Sequence, residues 1–335
     1  MATMGAESTP SRKRGEHIPV MLEEVMESLQ VEPGGHYFDA TLGLGGHTRA
    51  LLERSAPQGW VVATDRDDEA LEAAKHALAS FGGRLRAVHS SFSAISQVLE
   101  ELGEQRGCLH GILADLGLSS RQLDDESRGF SFSSGGSLDM RMWAGEERSA
   151  HQLLEELEEE ELGALFKELG EEPLGRRYAR AVKEALARRK TQKELTPLEL
   201  AQIIERAAGA KRRAQARRHP ATKVFMALRM AVNDELGELE AFLKEAPAWL
   251  RPGGRLAVLS FHSLEDRMVK RRFKTLSSRD VDLPPGLPVR EVDLPKSDFS
   301  RVTRKPLEAS QEERLQNPRS RSAKLRVLER RREGV

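Results

Sequence analysis

Three glycines fall within Gly43-Leu44-Gly45-Gly46, between an apolar run that ends at Asp39 and a helix-forming run that starts near His47. Side chains at those positions would obstruct so tight a turn, so the segment Asp39 to His47 reads as strand end, glycine turn and helix start. The next apolar run, Trp60-Val61-Val62-Ala63-Thr64, ends on Asp65. In an open parallel sheet two such strand ends lie side by side at a ligand crevice. The turn can then wrap a nucleoside-type ligand while the Asp65 carboxylate grips its ribose diol.

What the turn lacks narrows the ligand. The dinucleotide fingerprint asks for glycines at the first, third and sixth positions. Gly43 and Gly45 comply, but Thr48 holds the sixth place and Gly46-His47 intervene. A pyrophosphate needs close backbone approach at a helix N-terminus. S-adenosylmethionine needs only a passage for its amino-acid part and an acid for its ribose. The turn alone therefore favours S-adenosylmethionine over NAD and leaves both open. His47 reads either as a contact to the polar end of such a ligand or as a cap on its own helix.

The alternation continues along the chain. Strands are predicted at Leu85–His89 and Gly111–Leu116, with helices from Asp67 to about Ser80 and from Phe92 to Leu102. Strands alternating with helices make an α/β fold with a right-handed parallel sheet. Then the rhythm breaks. The next buried strand, Arg255-Leu256-Ala257-Val258-Leu259-Ser260-Phe261, begins about 140 residues after Asp115, where a plain βαβ unit needs about 30. The interval is acidic from Glu155 to Glu172 and basic from Arg176 to Lys193. It reads as a helical domain, residues 121–218, inserted into a discontinuous sheet domain of residues 17–120 and 219–335. Residues 1–16 read as a disordered tail. The sheet domain is expected to resume with one long helix, Ala221 to Leu250, interrupted near Pro247. An irregular loop, Val281 to Pro288, precedes two segments, Asp298–Lys305 and Ala323–Arg330, expected to pair as an antiparallel hairpin at the sheet edge.

Lys+Arg and Asp+Glu both number 53, so any polyanion must be held by local patches rather than by net charge. Lys211-Arg212-Arg213 and Arg217-Arg218-His219 flank the expected re-entry into the sheet domain and are read as phosphate-backbone contacts. Lys270-Arg271-Arg272 reads as a solvated face. No apolar run approaches the roughly 18 residues a bilayer span requires, and the single Cys108 cannot form an internal disulfide; a cytoplasmic location is expected. No paired histidine spacing suggests a metal site, and no serine sits in a nucleophile elbow.

Strand C-terminal ends face the crevice. Asp115, ending an apolar strand, and Gln122 just beyond it are expected to point at a ligand. Ser119, Ser120 and Asp124 read equally as turn and capping residues. Phe92 lies where a ring can pack on a purine, or in the core. His262, after the fifth strand, is either a substrate contact or structural.

With these residues assembled, the chain resembles the bacterial 16S rRNA cytosine-N4 methyltransferase family (RsmH, or MraW). The resemblance runs from His17 to about Glu329. It is carried by His17 to Glu24, Gly43 to His47, Thr64-Asp65-Arg66-Asp67, Asp115 to Asp124, Arg128-Gly129-Phe130-Ser131-Phe132 and Leu138-Asp139-Met140-Arg141-Met142. Further on come His219-Pro220-Ala221-Thr222-Lys223, Val232-Asn233-Asp234-Glu235-Leu236, Ser260 to Arg267 and Asn317 to Ala323. It implies a class I S-adenosylmethionine-dependent methyltransferase (Rossmann-like) sheet with an inserted helical domain. The implied reaction moves a methyl group from S-adenosylmethionine to the exocyclic N4 of a cytidine in 16S rRNA, in the decoding region near the ribosomal P site. The implied partner is 16S rRNA or the small ribosomal subunit. Carried over by motif, the cofactor contacts are Gly45, Gly46, His47, Asp65, Phe92, Asp115 and Gln122. The chain departs from the family pattern at Arg121, where many members have proline, and in its extended N-terminal tail.

The catalytic group stays open. Many amino methyltransferases place Asp/Asn-Pro-Pro-aromatic after the fourth strand, whereas this chain has Asp115-Leu116-Gly117-Leu118. Asp115 can still serve as an acceptor, but a ring to stack on the target base must come from elsewhere: Phe130, Phe132, Trp143 or Phe261. The base must be unpaired or extruded to reach such a pocket.

Overall fold

The computed structural model describes residues 19–143, 145–189, 193–210, 219–278 and 297–332. The expected tail at 1–16, the basic runs at 211–213 and 217–218 and the loop at 281–288 lie outside the described residues.

Eight strands form one sheet in the order β3-β2-β1-β4-β5-β8-β6, with β7 pairing β8. They are β1 (His36–Asp39), β2 (Trp60–Asp65), β3 (Leu85–His89), β4 (Leu109–Asp115), β5 (Leu250–Ser260), β6 (Phe299–Arg301), β7 (Leu307–Glu308) and β8 (Lys324–Arg330). The first five are parallel, and β8 joins β5 antiparallel. The inner strands are near-continuous apolar runs because both sheet faces are covered. On one face α1 (Leu22–Leu29), α2 (Gly46–Arg54) and α3 (Asp68–Ala77) bury Met26, Leu51 and Leu71. On the other, α4 (Ile95–Glu101), with Ile95 and Leu99, packs with Phe242 and Phe273 from helices that follow the insertion.

The sheet is built outward in both directions from the neighbours β1 and β4, which pair Asp39 with Leu113. This is the switch point where open α/β sheets bind ligands. Asp39, Asp65 and Asp115, the last residues of β1, β2 and β4, therefore gather at one edge of the sheet.

Past β4 and the short helix α5 (Ser120–Asp124) comes a helical lobe of α6 (Ala150–Glu156), α7 (Glu159–Glu168), α8 (Gly175–Ala187) and α9 (Pro197–Ala208). Local rules start these helices: Thr196 caps α9 in a reciprocal box with Glu199, with Pro197 at the first helical position. Leu154, Phe166, Tyr178 and Ile204 centre the lobe's core, which runs on past residue 218 into Val224, Phe225 and Leu228. Those residues belong to α10 (Thr222–Val232).

The long helix expected from Ala221 to Leu250 is two helices, α10 and α11 (Glu235–Glu245), followed by a 3-10 turn at Ala246–Trp249. The break falls at Asn233-Asp234, where Asp234 adopts φ 45°, a conformation that aspartate tolerates better than most residues. The buried Asn233 amide donates to Met140 O and Arg229 O, both at 2.8 Å, and its oxygen accepts from Met142 N–H at 2.7 Å. The break thus pins the 140–142 segment to the helix junction. The expected terminal pairing is present but shorter: β6 meets β8 over Phe299–Arg330 to Arg301–Leu328. Phe92 opens its helix through a 3-10 turn, Phe92–Ala94, before α4.

Candidate active site

The glycine turn closes by backbone hydrogen bonds: Leu42 N–H donates to Thr64 O at 2.9 Å and Gly45 N–H to Leu42 O at 2.7 Å. Gly43 and Gly45 take φ of 50° and 80°, which side chains would disfavour. Thr48, standing where the dinucleotide fingerprint has glycine, donates from Oγ1 to the buried Asp39 at 2.6 Å.

Gly46, His47, Asp65, Phe92, Asp115 and Gln122 line one cavity of about 380 Å³. Gly45 does not. A Cβ there would meet Leu78 Cδ1 at 2.8 Å, so Gly45 allows α2 and α3 to pack. At Gly46 a Cβ would run into Pro19, a cavity-wall residue.

Asp65 braces the turn before any ligand is considered. Its Oδ2 accepts from Gly43 N–H at 2.6 Å and its Oδ1 from Asp67 N–H at 2.9 Å. Burial pushes its carboxyl up to about 6, against the opposing pull of those two amides. His47 is buried, with Nε2 3.0 Å from Val20 O, and burial pushes it down to about 4. Its Nδ1 lies 3.5 Å from Asp115 Oδ2. Burial, followed by the nearby Asp39 and Glu265 carboxylates, drives Asp115 up to about 8. Asp115 Oδ1 is buried with no hydrogen-bond partner.

Gln122 reaches the cavity wall, but its amide is already engaged. Nε2 donates to Asp67 Oδ2 at 3.1 Å, and Oε1 accepts from Ser119 N–H at 3.0 Å in a capping box. Arg128 also grips Asp67, at 2.7 Å. These contacts fasten residues 119–128 to the N-terminus of α3.

The wall also includes charged residues to which the sequence assigned no role, among them Arg66, Arg229, Glu235, Glu238 and Arg319. Arg66 bridges Glu146 and Glu238 at 3.0 and 3.4 Å, and Arg229 grips Glu235 through two bonds of 2.6 and 2.8 Å. The only signal for them was their place in or beside the quoted motifs.

His262 caps α12 (Ser263–Ser277), its Nδ1 accepting from Glu265 N–H at 3.4 Å and its Nε2 lying 3.0 Å from Glu265 Oε1. Both ring nitrogens thus face Glu265, though the buried Nε2 lacks hydrogen-bond geometry, and His262 also lines the cavity. Donor atoms of Glu235, His262 and Glu265 lie within 4.8 Å of one another. Within this cluster Arg229 grips Glu235, and Glu265 Oε2 accepts from Phe261 and His262 N–H at 2.8 and 3.2 Å.

Of the rings expected near a target base, Phe261 lines the cavity. Phe130 is buried in the helical core, Phe132 stacks on His219 with centroids 5.2 Å apart, and Trp143 meets His89 edge-on. Phe92 lines the cavity while packing edge-on against Phe242 at 5.5 Å.

The cavity's acids, its glycine turn and its place at the switch point suit a cationic nucleoside. Asp115 Oδ1, a buried oxygen without a partner, fits a positively charged ligand. Comparison with known proteins agrees. The profile described as the MraW methylase family matches residues 14–331. The ribosomal RNA small subunit methyltransferase H of Maridesulfovibrio salexigens is 45% identical over 94% of this chain and 95% of its own. That of Anaeromyxobacter dehalogenans is 48% identical over 93% of this chain and 97% of its own. That of Heliobacterium mobile is 44% identical over 93% and 98%. The chain belongs to the MraW methylase family.

Proposed function

We propose that this protein is a methyltransferase that uses S-adenosylmethionine to methylate small-subunit ribosomal RNA, at the exocyclic N4 of a cytidine in the decoding region near the P site. Its substrate is 16S rRNA or the small ribosomal subunit, and its work lies in the cytoplasm. The observation that carries the reading is the cavity itself. It joins the ends of β1, β2 and β4 around a buried, partnerless Asp115 oxygen, in a chain nearly collinear with rRNA methyltransferases.

When bound, S-adenosylmethionine supplies an activated methyl group on a sulfonium. The chain's own groups bind and orient. Asp65, each of whose oxygens accepts one backbone N–H, retains lone pairs for the ribose hydroxyls. The backbone N–H groups of Gly46 and His47, at the start of α2, receive the amino-acid end. Phe92 packs the adenine edge, while Gln122 holds the 119–128 segment as a wall. Phe261 offers its ring to the target base. The cytosine N4 lone pair is delocalised into the ring, so an acceptor for its hydrogens favours attack. Asp115, once ionised, is that acceptor. The rest of the rate enhancement comes from alignment.

The test is incubation of the protein with labelled S-adenosylmethionine and unmethylated small-subunit rRNA, followed by nucleoside analysis. N4-methylcytidine at one site supports the proposal. Label on DNA instead would make it a DNA amino-methyltransferase, and ligand binding without transfer would make it an RNA-binding protein responsive to the donor.

A further inference from the structure

His47, Arg66, Arg229, His262 and Arg319 are the basic side chains on the cavity wall. The first four are answered within the protein, by Val20 and Asp115, by Glu146 and Glu238, by Glu235 and by Glu265 respectively. Arg319 is different. It is half-buried, its backbone N–H donates to Asn317 Oδ1 at 3.3 Å, and its guanidinium makes no hydrogen bond or ion pair among the described residues. A guanidinium stays charged at any working pH, and half-burying it without a partner is unfavourable unless a ligand anion completes it.

The backbone that carries Arg319 is held firmly. Ser320 donates to Asn317 O through both N–H, at 3.0 Å, and Oγ, at 2.8 Å. The helix α13 (Gln311–Gln316) leads into this turn, and its Glu313 Oε1 accepts from Met21 N–H at 2.7 Å. That bond ties the turn to the Pro19–Val20 wall of the cavity. Two anions can reach such a position: the donor's carboxylate and an RNA phosphodiester. The glycine turn already offers the donor's amino-acid end the free N–H groups of α2. Two residues on, Arg321 is exposed, so a second positive charge stands on the solvent side of this turn, as a polyanion partner requires.

Resting on the rRNA reading above, we infer that Arg319 binds the phosphodiester adjoining the target base and so holds a single-stranded segment at the cavity mouth. An arginine fork suits two phosphate oxygens. This contact fixes the register of the strand without reading its sequence.

The test compares full-length wild type with Arg319→Gln and Arg319→Lys. S-adenosylhomocysteine affinity is measured by calorimetry, and binding of unmethylated small-subunit rRNA is measured across a salt series, with transfer followed separately. For Arg319→Gln the expected result is unchanged S-adenosylhomocysteine affinity and about tenfold weaker rRNA binding. Its log–log salt slope should be shallower by about 0.7, the value for one phosphate on a single strand. Arg319→Lys keeps the slope and loses part of the affinity. Weakened S-adenosylhomocysteine binding with an unaltered salt slope would assign Arg319 to the donor's carboxylate and overturn the inference, as would variants that bind both ligands like wild type. Wild type that binds rRNA but transfers nothing would sink the enzymatic reading alone, since the binding series still reads Arg319.

Discussion

His47 Nδ1 faces Asp115 Oδ2 across 3.5 Å, and burial moves the two groups in opposite directions, His47 down to about 4 and Asp115 up to about 8. With Nε2–H donated to Val20 O, Nδ1 presents a lone pair to Asp115. At neutral pH the pair is therefore uncharged, with its proton on the carboxyl. A cation in the cavity reverses the preference, because it stabilises the carboxylate.

Donor binding is accordingly expected to expel a proton near pH 7. Affinity should rise with pH, by at most about tenfold per unit, and level off near the value of about 8 at which free Asp115 ionises. Calorimetry with S-adenosylmethionine in two buffers of different ionisation enthalpy reads the proton directly. Asp115→Asn should release none; release undiminished in that variant would place the proton elsewhere.

The same pair shapes stability. Between its ordinary 3.8 and about 8, folded Asp115 holds a proton that the unfolded chain has lost, so stability falls as pH rises. His47 acts oppositely between about 4 and its ordinary 6.5, where the unfolded chain holds the extra proton and stability rises with pH. From 6.5 to about 8 Asp115 acts without that offset, costing at most about 1.4 kcal/mol per pH unit. Urea unfolding of Asp115→Asn should show a flatter pH dependence over this window than wild type. Parallel curves would contradict the buried, protonated state.

Asp65→Ala removes both the ribose acceptor and the brace on the glycine turn. Donor affinity should fall about 10- to 100-fold, the range for a hydrogen bond to a charged group. Equilibrium binding of S-adenosylhomocysteine checks it, and unchanged affinity would mean that the ribose lies elsewhere.

Asn233→Ala strips Met142 N–H and the Met140 carbonyl of their shared partner, while Arg229 O keeps its bond from the backbone N–H of residue 233 at 3.1 Å. Leaving such groups unsatisfied costs about 1–3 kcal/mol, to be read as a lower urea midpoint. A loss under about 0.5 kcal/mol, the scale of surface substitutions, would show that solvent replaces the amide.

The parts of this fold visible in the sequence are those set by neighbours along the chain. Leu85–His89 was readable as a strand to the residue, and Asp67 as a cap, because apolar periodicity and capping are local. The break at Asn233-Asp234 was hidden inside an apolar periodic run, since its cause is an amide reaching back to Met140, far off in sequence. Gln122 lines the cavity, but its engagement with Asp67, which no local pattern announces, spans 55 positions. Gly45 looks the same as Gly46 in the sequence; only packing against Leu78 distinguishes them. Arg319 sat in a quoted motif without a role, because a lone arginine is informative only once its neighbours' partners are known.

A crystal structure with S-adenosylhomocysteine bound is the sharpest measurement available. Its ribose hydroxyls should lie within hydrogen-bonding distance of Asp65, with its sulfur directed toward Asp115. A nucleoside bound away from the ends of β1, β2 and β4 would contradict the assignment of this cavity.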